Sequence, residues 1–536
     1  MAVRAIDQVK ASALGTSYAV SSSHPAVTQV GGQVLATGGN AFDATLAMAA
    51  VAWVVLPGQC GPGGDAFALT REPDGRVRAV SGSGFGPDGG TPGFYRDRRL
   101  EALPLDGPLS VAVPGALAAI GTLQARATRS LAELWSPAIE LAGRGVPCTA
   151  KTLADVAEHR GSLEADPDLR SVFLPGGRLP RIGEVLRQPD LAATLRRLAA
   201  DPAAFHTGWF ADRAITFLRG TGAPFSGDEW TLGAAAPAED AISAVYSGRT
   251  LHQTPTPSAG WMVLHQAALC DGVLGATDQL GPEAVHWFAE AARTAFRHRF
   301  ASCGADNEAW RDALDQDAIR RSRAAISAHV AGAAPAVAPV GDTTSTVCVD
   351  ADGTAVSFIH SLAFTFGSRT TVPGTGVVLN NRLGRGAYLV AGHPNEVAPR
   401  RKPLHTLNAW LLEEDGDLLA TGNCPGGDGQ VQWNMQVISH LLDHGDDPQR
   451  AVSLPRVTVF PGSDADVLDR PQVLRCEEGL PAGTLSTLAG WGHVVEETPV
   501  QRGGPGGSAL VVKVDRGRGV LHAAADPRME GVAVAL

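Results

Sequence analysis

Apolar residues recur every three to four positions through much of the first 330 residues, as in LAELWSPAIELAGRG (131–145), LAATLRRLAA (191–200) and EAVHWFAEAARTAFRHRF (283–300), and predict helices there. The run ATLAMAAVAWVVLPG (44–58) is apolar all round and ends at Pro57, which predicts a buried helix. After the Ala/Gly/Pro-rich stretch AGAAPAVAPVGD (331–342) the period changes. TSTVCVD, TAVSFIHSL, and later LLATGN, RVTVF and ALVVKVD read as short strands between turn signals, a pattern anticipated by DAFALT (65–70) and RVRAV (76–80). The switch divides the chain into 1–342, mainly helical with some strands, and 343–536, richer in strands.

Thr343 stands at the head of the first strand after that switch. A threonine acts as a strong nucleophile when a chain break before it frees its α-amine to serve as base for its own hydroxyl; the alternative is a linker entering an ordinary strand. The hairpin that follows adds chemistry. With Ala351-Asp352-Gly353 as a three-residue loop and Gly353 left-handed, Asp350 opposes Thr354 and Thr343 opposes Ser361, whereas a slip of one residue brings His360 opposite.

Composition narrows the remaining possibilities. A chain of 536 residues, 44% hydrophobic and 18% charged, is globular. Its first residues show no basic start followed by an apolar core, and no later run reaches the length of a membrane span, so the expectation is a cytoplasmic protein. Seven cysteines without paired metal spacing read as core thiols, with no metal and no cofactor. A net charge of −11 without a Lys/Arg-rich run argues against nucleic acid or membrane as partner and leaves a small-molecule substrate.

Ten fragments then line up in one order: SSSHPAVTQVGGQVLATGGNAFDATLAMAA (21–50), CGPGGDAFAL (60–69), LSVAVPGALAA (109–119), ELWSPAIELAGRGVP (133–147), TPTPSAG (254–260), DTTSTVCVDADGTAVSF (342–358), FGSRTTVPGTGVVLNNR (366–382), RKPLHTLNAW (401–410), CPGGDGQVQ (424–432) and AADPRMEG (524–531). Through them the chain resembles the γ-glutamyltranspeptidase family of N-terminal nucleophile hydrolases over nearly its whole length. The HTLN and GGDGQ runs look most like the branch that includes oxamate amidohydrolase.

The resemblance implies an α+β fold, a four-layer αββα sandwich formed jointly by two chains after self-cleavage between Asp342 and Thr343. It implies a large subunit of 1–342 and a small one of 343–536, with a homo-oligomer of the processed pair as a further possibility. By the same resemblance Thr343 is the nucleophile, Ser361 a hydroxyl that contacts it, and Gly426 and Gly427 the backbone N–H donors to the oxyanion, a task that suits glycine because the backbone must approach the reacting carbonyl closely.

The departures from the family lie where it grips a γ-glutamyl group. Segment 81–90 lacks the family's carboxylate-binding arginine, with Ser83 at its counterpart position and Phe85 where the oxamate branch leads one to expect arginine. His405-Thr406 replaces a Ser-Ser pair, and the residues that hold an α-amino group align with Ala363, Arg382 and Arg385. Such a pocket repels an ammonium and tolerates an anion. His405, Thr406, Arg382, Arg385 and Arg369 are therefore the expected substrate-binding residues, with the three arginines as solvated charges or subunit salt bridges in the alternative. Asp65 reads as a turn residue after the glycines, with a pocket acid as the alternative, and His24, before Pro25, as a capping or packing histidine. The expected activity is a self-processing amidohydrolase for small anionic acyl amides. A γ-glutamyltransferase or glutathione hydrolase, and an unprocessed non-catalytic relative, are the alternatives.

Overall fold

The computed structural model describes residues 10–332, 343–460, 472–500 and 507–536; Asp342 lies outside them. Two seven-stranded sheets, antiparallel throughout, form its centre. The first runs in the order Val532–Ala535, Ala19–Ser22, Thr344–Val349, Ala355–Ser361, Asp65–Arg71, Val77–Gly82 and Ala238–Asp240. The second runs Ala13–Gly15, Val520–Ala525, Leu510–Asp515, Asp417–Asn423, Ala409–Glu414, Arg249–Gln253 and Ile242–Tyr246. Residues from both sides of position 342 are thus interleaved in each sheet.

Alternation decides which residues meet between the sheets. Leu69, Ala79, Val347, Val349 and Ala355 from the first sheet share one buried cluster with Leu411, Leu510, Val512, Leu521 and Ala523 from the second. The outer faces are covered by helices: Pro25–Ala36, Ala41–Val55 and Ala116–Gln124 against the first sheet, Gly260–Cys270 and Pro448–Ser453 against the second. The result is the αββα sandwich expected.

Helix Ala41–Val55 is buried at every position, as its unbroken apolar composition requires. It starts at a capping box in which Asn40 and Asp43 satisfy each other's backbone N–H groups, and Asp43 also accepts from the Thr128 and Arg129 amides. The expected single helix over 131–145 divides into Leu131–Leu134 and Ser136–Arg144, because Pro137 takes the first turn of the second piece. His24 is the N-cap of Pro25–Ala36, its Nδ1 accepting from the Ala26 amide. No helix among the described residues is long and apolar enough to cross a membrane.

Candidate active site

The hairpin after Thr343 takes the register that its loop length dictates. Gly353 has φ +80°, Asp350 N–H donates to Thr354 O, and Thr344 pairs with His360. One step further along, Thr343 meets Ser361, and its Oγ1 donates to Ser361 Oγ at 3.1 Å. Both are buried, and Ser361 Oγ also accepts from the Ala363 amide at 2.9 Å. His360 points to the other face, where its Nδ1 accepts from Trp53 Nε1 at 3.1 Å, and burial lowers its pKa to about 3.

The same register continues across the sheet. Ser361 pairs with Asp65, and Ala66 pairs with Gly82, so the next step sets Asp65 opposite Ser83. Thr343, Ser361, Asp65 and Ser83 thus form one row across four adjacent strands at one end of the first sheet. Residues directly opposite share a face, and this row faces the second sheet. At about 4.8 Å per strand, its ends lie about 14 Å apart.

Asp65 corrects the turn assignment. It is fully buried, begins strand Asp65–Arg71 and accepts from Arg382 Nε at 3.0 Å in an ion pair with both side chains at or below 1% exposure. Burial pushes its carboxyl above the ordinary range, and Arg382 opposes that shift. Arg382 is accordingly not a solvated charge: it forms a buried salt bridge between the 1–342 and 343–536 parts of the chain, the second of the alternatives. Arg385 is also buried, its Nη1 donating to Ala363 O at 2.8 Å with the guanidinium carbon 4.5 Å from the Phe364 ring centre. Arg369 is engaged elsewhere, in an ion pair with Asp106 and within 3.5 Å of His159 Nε2.

The far end of the row joins two positions that depart from the family pattern. His405 Nε2 shares a 2.7 Å hydrogen bond with Ser83 Oγ, and its ring packs edge-on to Phe67 at 4.9 Å. Its loop is held from below: His405 N–H donates to Pro257 O, and Ser258 Oγ donates to Leu407 O. Burial, and then the charges of Arg382, Lys402, Arg299 and Arg385, hold His405 well below the usual imidazole value, so it is neutral. Thr406 is buried beside it, its carbonyl accepting from Asn408 Nδ2.

Gly426 and Gly427 follow strand Asp417–Asn423, whose last residue reaches across the sandwich: Asn423 Nδ2 donates to Ser357 Oγ at 2.8 Å and lies 3.4 Å from Phe358 O. The strand that leads into the turn thus packs over the middle of strands Thr344–Val349 and Ala355–Ser361. Both residues have positive φ (+127° and +61°), and a Cβ on Gly426 would stand 2.3 Å from a ring carbon of Trp433. A buried ion network braces this turn, with Arg456 and Arg528 both paired to Asp526, Arg528 also paired to Glu477, and Asp526 accepting from the Ala509 amide. If this turn supplies the oxyanion donors that the resemblance implies, replacing Gly427 by valine should lower kcat roughly 10²-fold without unfolding the protein. Steady-state kinetics with a circular dichroism control tests this, and normal turnover in a folded variant would remove the turn from the chemistry.

Away from the row, His286, Glu290 and His493 gather three possible metal ligands, but Arg293 supplies the cation there. Its Nη1 donates to Glu290 at 2.5 Å and lies 3.1 Å from His493 Nδ1, while His493 Nε2 and His286 Nδ1 are 2.8 Å apart. The three side chains and Arg293 thus form one hydrogen-bonded chain.

Sequence reasoning set Asp65 aside in favour of a turn and missed Arg299 and Lys402 as parts of this region. The hairpin 65–82 holds a legible signal for the first, since its register alone sets Asp65 opposite Ser83.

A two-sheet sandwich with a hydroxyl residue at the head of a central strand defines the class: an N-terminal nucleophile hydrolase fold. The sequence matches the family described as gamma-glutamyltranspeptidase over residues 27–536, and the chain belongs to it. It is 32% identical to the glutathione hydrolase-like YwrD proenzyme of Bacillus subtilis, covering 98% of this chain and 99% of that protein. It is 31% identical to the oxamate amidohydrolase proenzyme of Klebsiella pneumoniae, covering 95% and 97%. Among solved structures, cephalosporin acylase from Bacillus halodurans superposes with a TM-score of 0.89 at 27% identity, over 98% of this chain and 97% of that one. The protein is an enzyme of the hydrolase and acylase kind that these relatives represent.

Proposed function

We propose that this enzyme is made as a precursor, cuts itself before Thr343, and hydrolyses amides of small anionic acyl groups through an acyl-enzyme on Thr343. The observation that carries the chemistry is the buried Thr343–Ser361 hydroxyl pair at the head of the row. In the uncut chain the nitrogen of Thr343 is an amide; cleavage turns it into an amine that can take the hydroxyl proton. The Thr343 hydroxyl adds to the substrate carbonyl, the Gly426 and Gly427 amides hold the oxyanion, and the amine returns the proton to the leaving nitrogen. Water then enters by the same route in reverse and releases the acid.

The substrate class rests on charge. Arg299, Arg382, Arg385 and Lys402 all lower the His405 pKa, and Asp65 faces only one of them in an ion pair. On this reading the group of cations around His405 disfavours an entering ammonium and favours a carboxylate. Oxamate and other short carboxylate-bearing amides should therefore be turned over faster than γ-glutamyl anilide or glutathione. Arg385→Ala should lower kcat/KM for the anionic amide roughly 10- to 100-fold while leaving γ-glutamyl substrates no worse. A wild-type preference for γ-glutamyl anilide, impaired by the same substitution, would replace this reading with that of a glutathione hydrolase, the activity that the YwrD relative's name suggests.

A further inference from the structure

The side chains around His286 are satisfied by one placement of protons. A guanidinium only donates, so His493 Nδ1 accepts from Arg293 Nη1 at 3.1 Å, and the proton of that ring sits on Nε2, which donates to His286 Nδ1 at 2.8 Å. The far end agrees, because a carbonyl only accepts: His286 Nε2 donates to Ser327 O at 2.7 Å. Both rings are therefore neutral, and one more proton on either would turn an acceptor into a second N–H facing a donor. Burial lowers both pKa values, that of His493 to about 3. Arg293 and the His286 ring add to the shift at His493; at His286 the Ser327 carbonyl and Glu290 oppose it, and Arg293 and His329 reinforce it. On its other side Arg293 Nε donates to the neutral Gln472 Oε1 at 3.3 Å.

The chain of bonds crosses between the two parts of the molecule. His286, Glu290 and Arg293 lie on helix Pro282–Ser302 and, with stretch 327–332, belong to 1–342; Trp491 and His493 belong to 343–536. Stretch 327–332 is exposed at most positions and fastened at few points among the described residues. Besides the Ser327 carbonyl, Ala331 N–H donates to Trp491 O at 2.8 Å, Gly332 N–H donates to Glu290 Oε2 at 3.2 Å, and the His329 ring lies 4.8 Å from that of Trp491. We infer that His286 and His493 form an acid-labile clasp, which holds 327–332 against loop 491–493 only while both rings are neutral. An exposed stretch with few fastenings opens locally at far lower cost than the core, where His360 and His440 are buried. In the open form the two rings titrate near their ordinary value of about 6.5, whereas the closed form holds them neutral. The clasp is therefore at full strength above about pH 6.5 and weakens as the pH falls below it. It needs no cut before Thr343.

The test is hydrogen–deuterium exchange of the whole protein, read by mass spectrometry at about pH 7.5 and about pH 5 and corrected for the intrinsic exchange rate at each pH. Peptides covering 326–332 and 490–494 should lose protection by about 30-fold if opening takes up one proton, and by up to about 10³-fold if it takes up two. Strand Ala355–Ser361 should stay protected at both values. His286→Gln with His493→Gln keeps an acceptor and a donor at each place but no titrating ring, and protection there should no longer depend on pH. His329→Gln, which removes the exposed neighbouring imidazole, should keep the wild-type loss. A wild type equally protected at both pH values, a double variant that loses as much as wild type, or a loss abolished by His329→Gln overturns the clasp. A double variant open at both values shows the pair to be the fastening, and the loss in wild type and His329→Gln then decides the pH dependence.

Discussion

Thr343→Ala is expected to give a single uncut chain with turnover reduced by roughly 10⁴-fold or more. Wild-type protein should instead resolve on a denaturing gel, and by intact mass, into pieces of 342 and 194 residues. The reasoning joins two steps to one atom. The Thr343 hydroxyl must attack the preceding carbonyl for the N-to-O shift, water must hydrolyse the resulting ester to open the chain and free the hydroxyl, and the same hydroxyl must then attack the substrate. Ser361 is placed to orient that hydroxyl at 3.1 Å in either step. Thr343→Ser keeps the oxygen and should retain part of both functions, which separates chemistry from packing. Full amidase activity in protein whose mass remains that of the intact chain would sink the mechanism.

Asp65→Ala is expected to cost about 3–5 kcal/mol of stability, far more than a strand-start residue ordinarily does. The substitution removes the carboxylate that faces a guanidinium 1% exposed, leaving that charge buried without its acid. Replacing both partners, as Asp65→Leu with Arg382→Met, should restore most of the loss, because an apolar pair of similar volume avoids the desolvation of both ions. Urea unfolding of the single and double variants gives the comparison. A single variant within about 0.5 kcal/mol of wild type would mean that water already reaches Arg382.

Local rules carried the sequence reading as far as one hairpin. The three-residue loop 351–353 set Thr343 against Ser361 without any knowledge of the rest of the fold, because turn geometry fixes register over short range. Pairing Ser361 with Asp65, and Asp65 with Arg382 some 317 residues away in sequence, depends on strand order that no local pattern contains. Asp65 looked like a turn residue because glycines precede it; their backbones pack close to neighbouring strands, as at Gly64, where a Cβ would stand 2.3 Å from Ser361 O. Arg382 looked free for a ligand because a sequence shows a charge and not its counter-charge. Strands such as Val520–Ala525 escaped notice because VLHAAA is half alanine, a residue poor in strand propensity that nonetheless fits the narrow space between packed layers.

The interleaving of strands has a bearing on what a cut before Thr343 would do. In the first sheet Thr344–Val349 lies beside Ala19–Ser22, and Ala355–Ser361 beside Asp65–Arg71; in the second, Ala409–Glu414 lies beside Arg249–Gln253. Neither fragment owns a complete sheet or closes a core by itself. Severing one bond there would leave every layer in place yet turn the molecule's assembly from a one-body event into an encounter between two bodies. The folded state could then be regained only at a rate that depends on concentration, and a protein that re-forms readily as one chain would become one that lasts because it seldom comes apart.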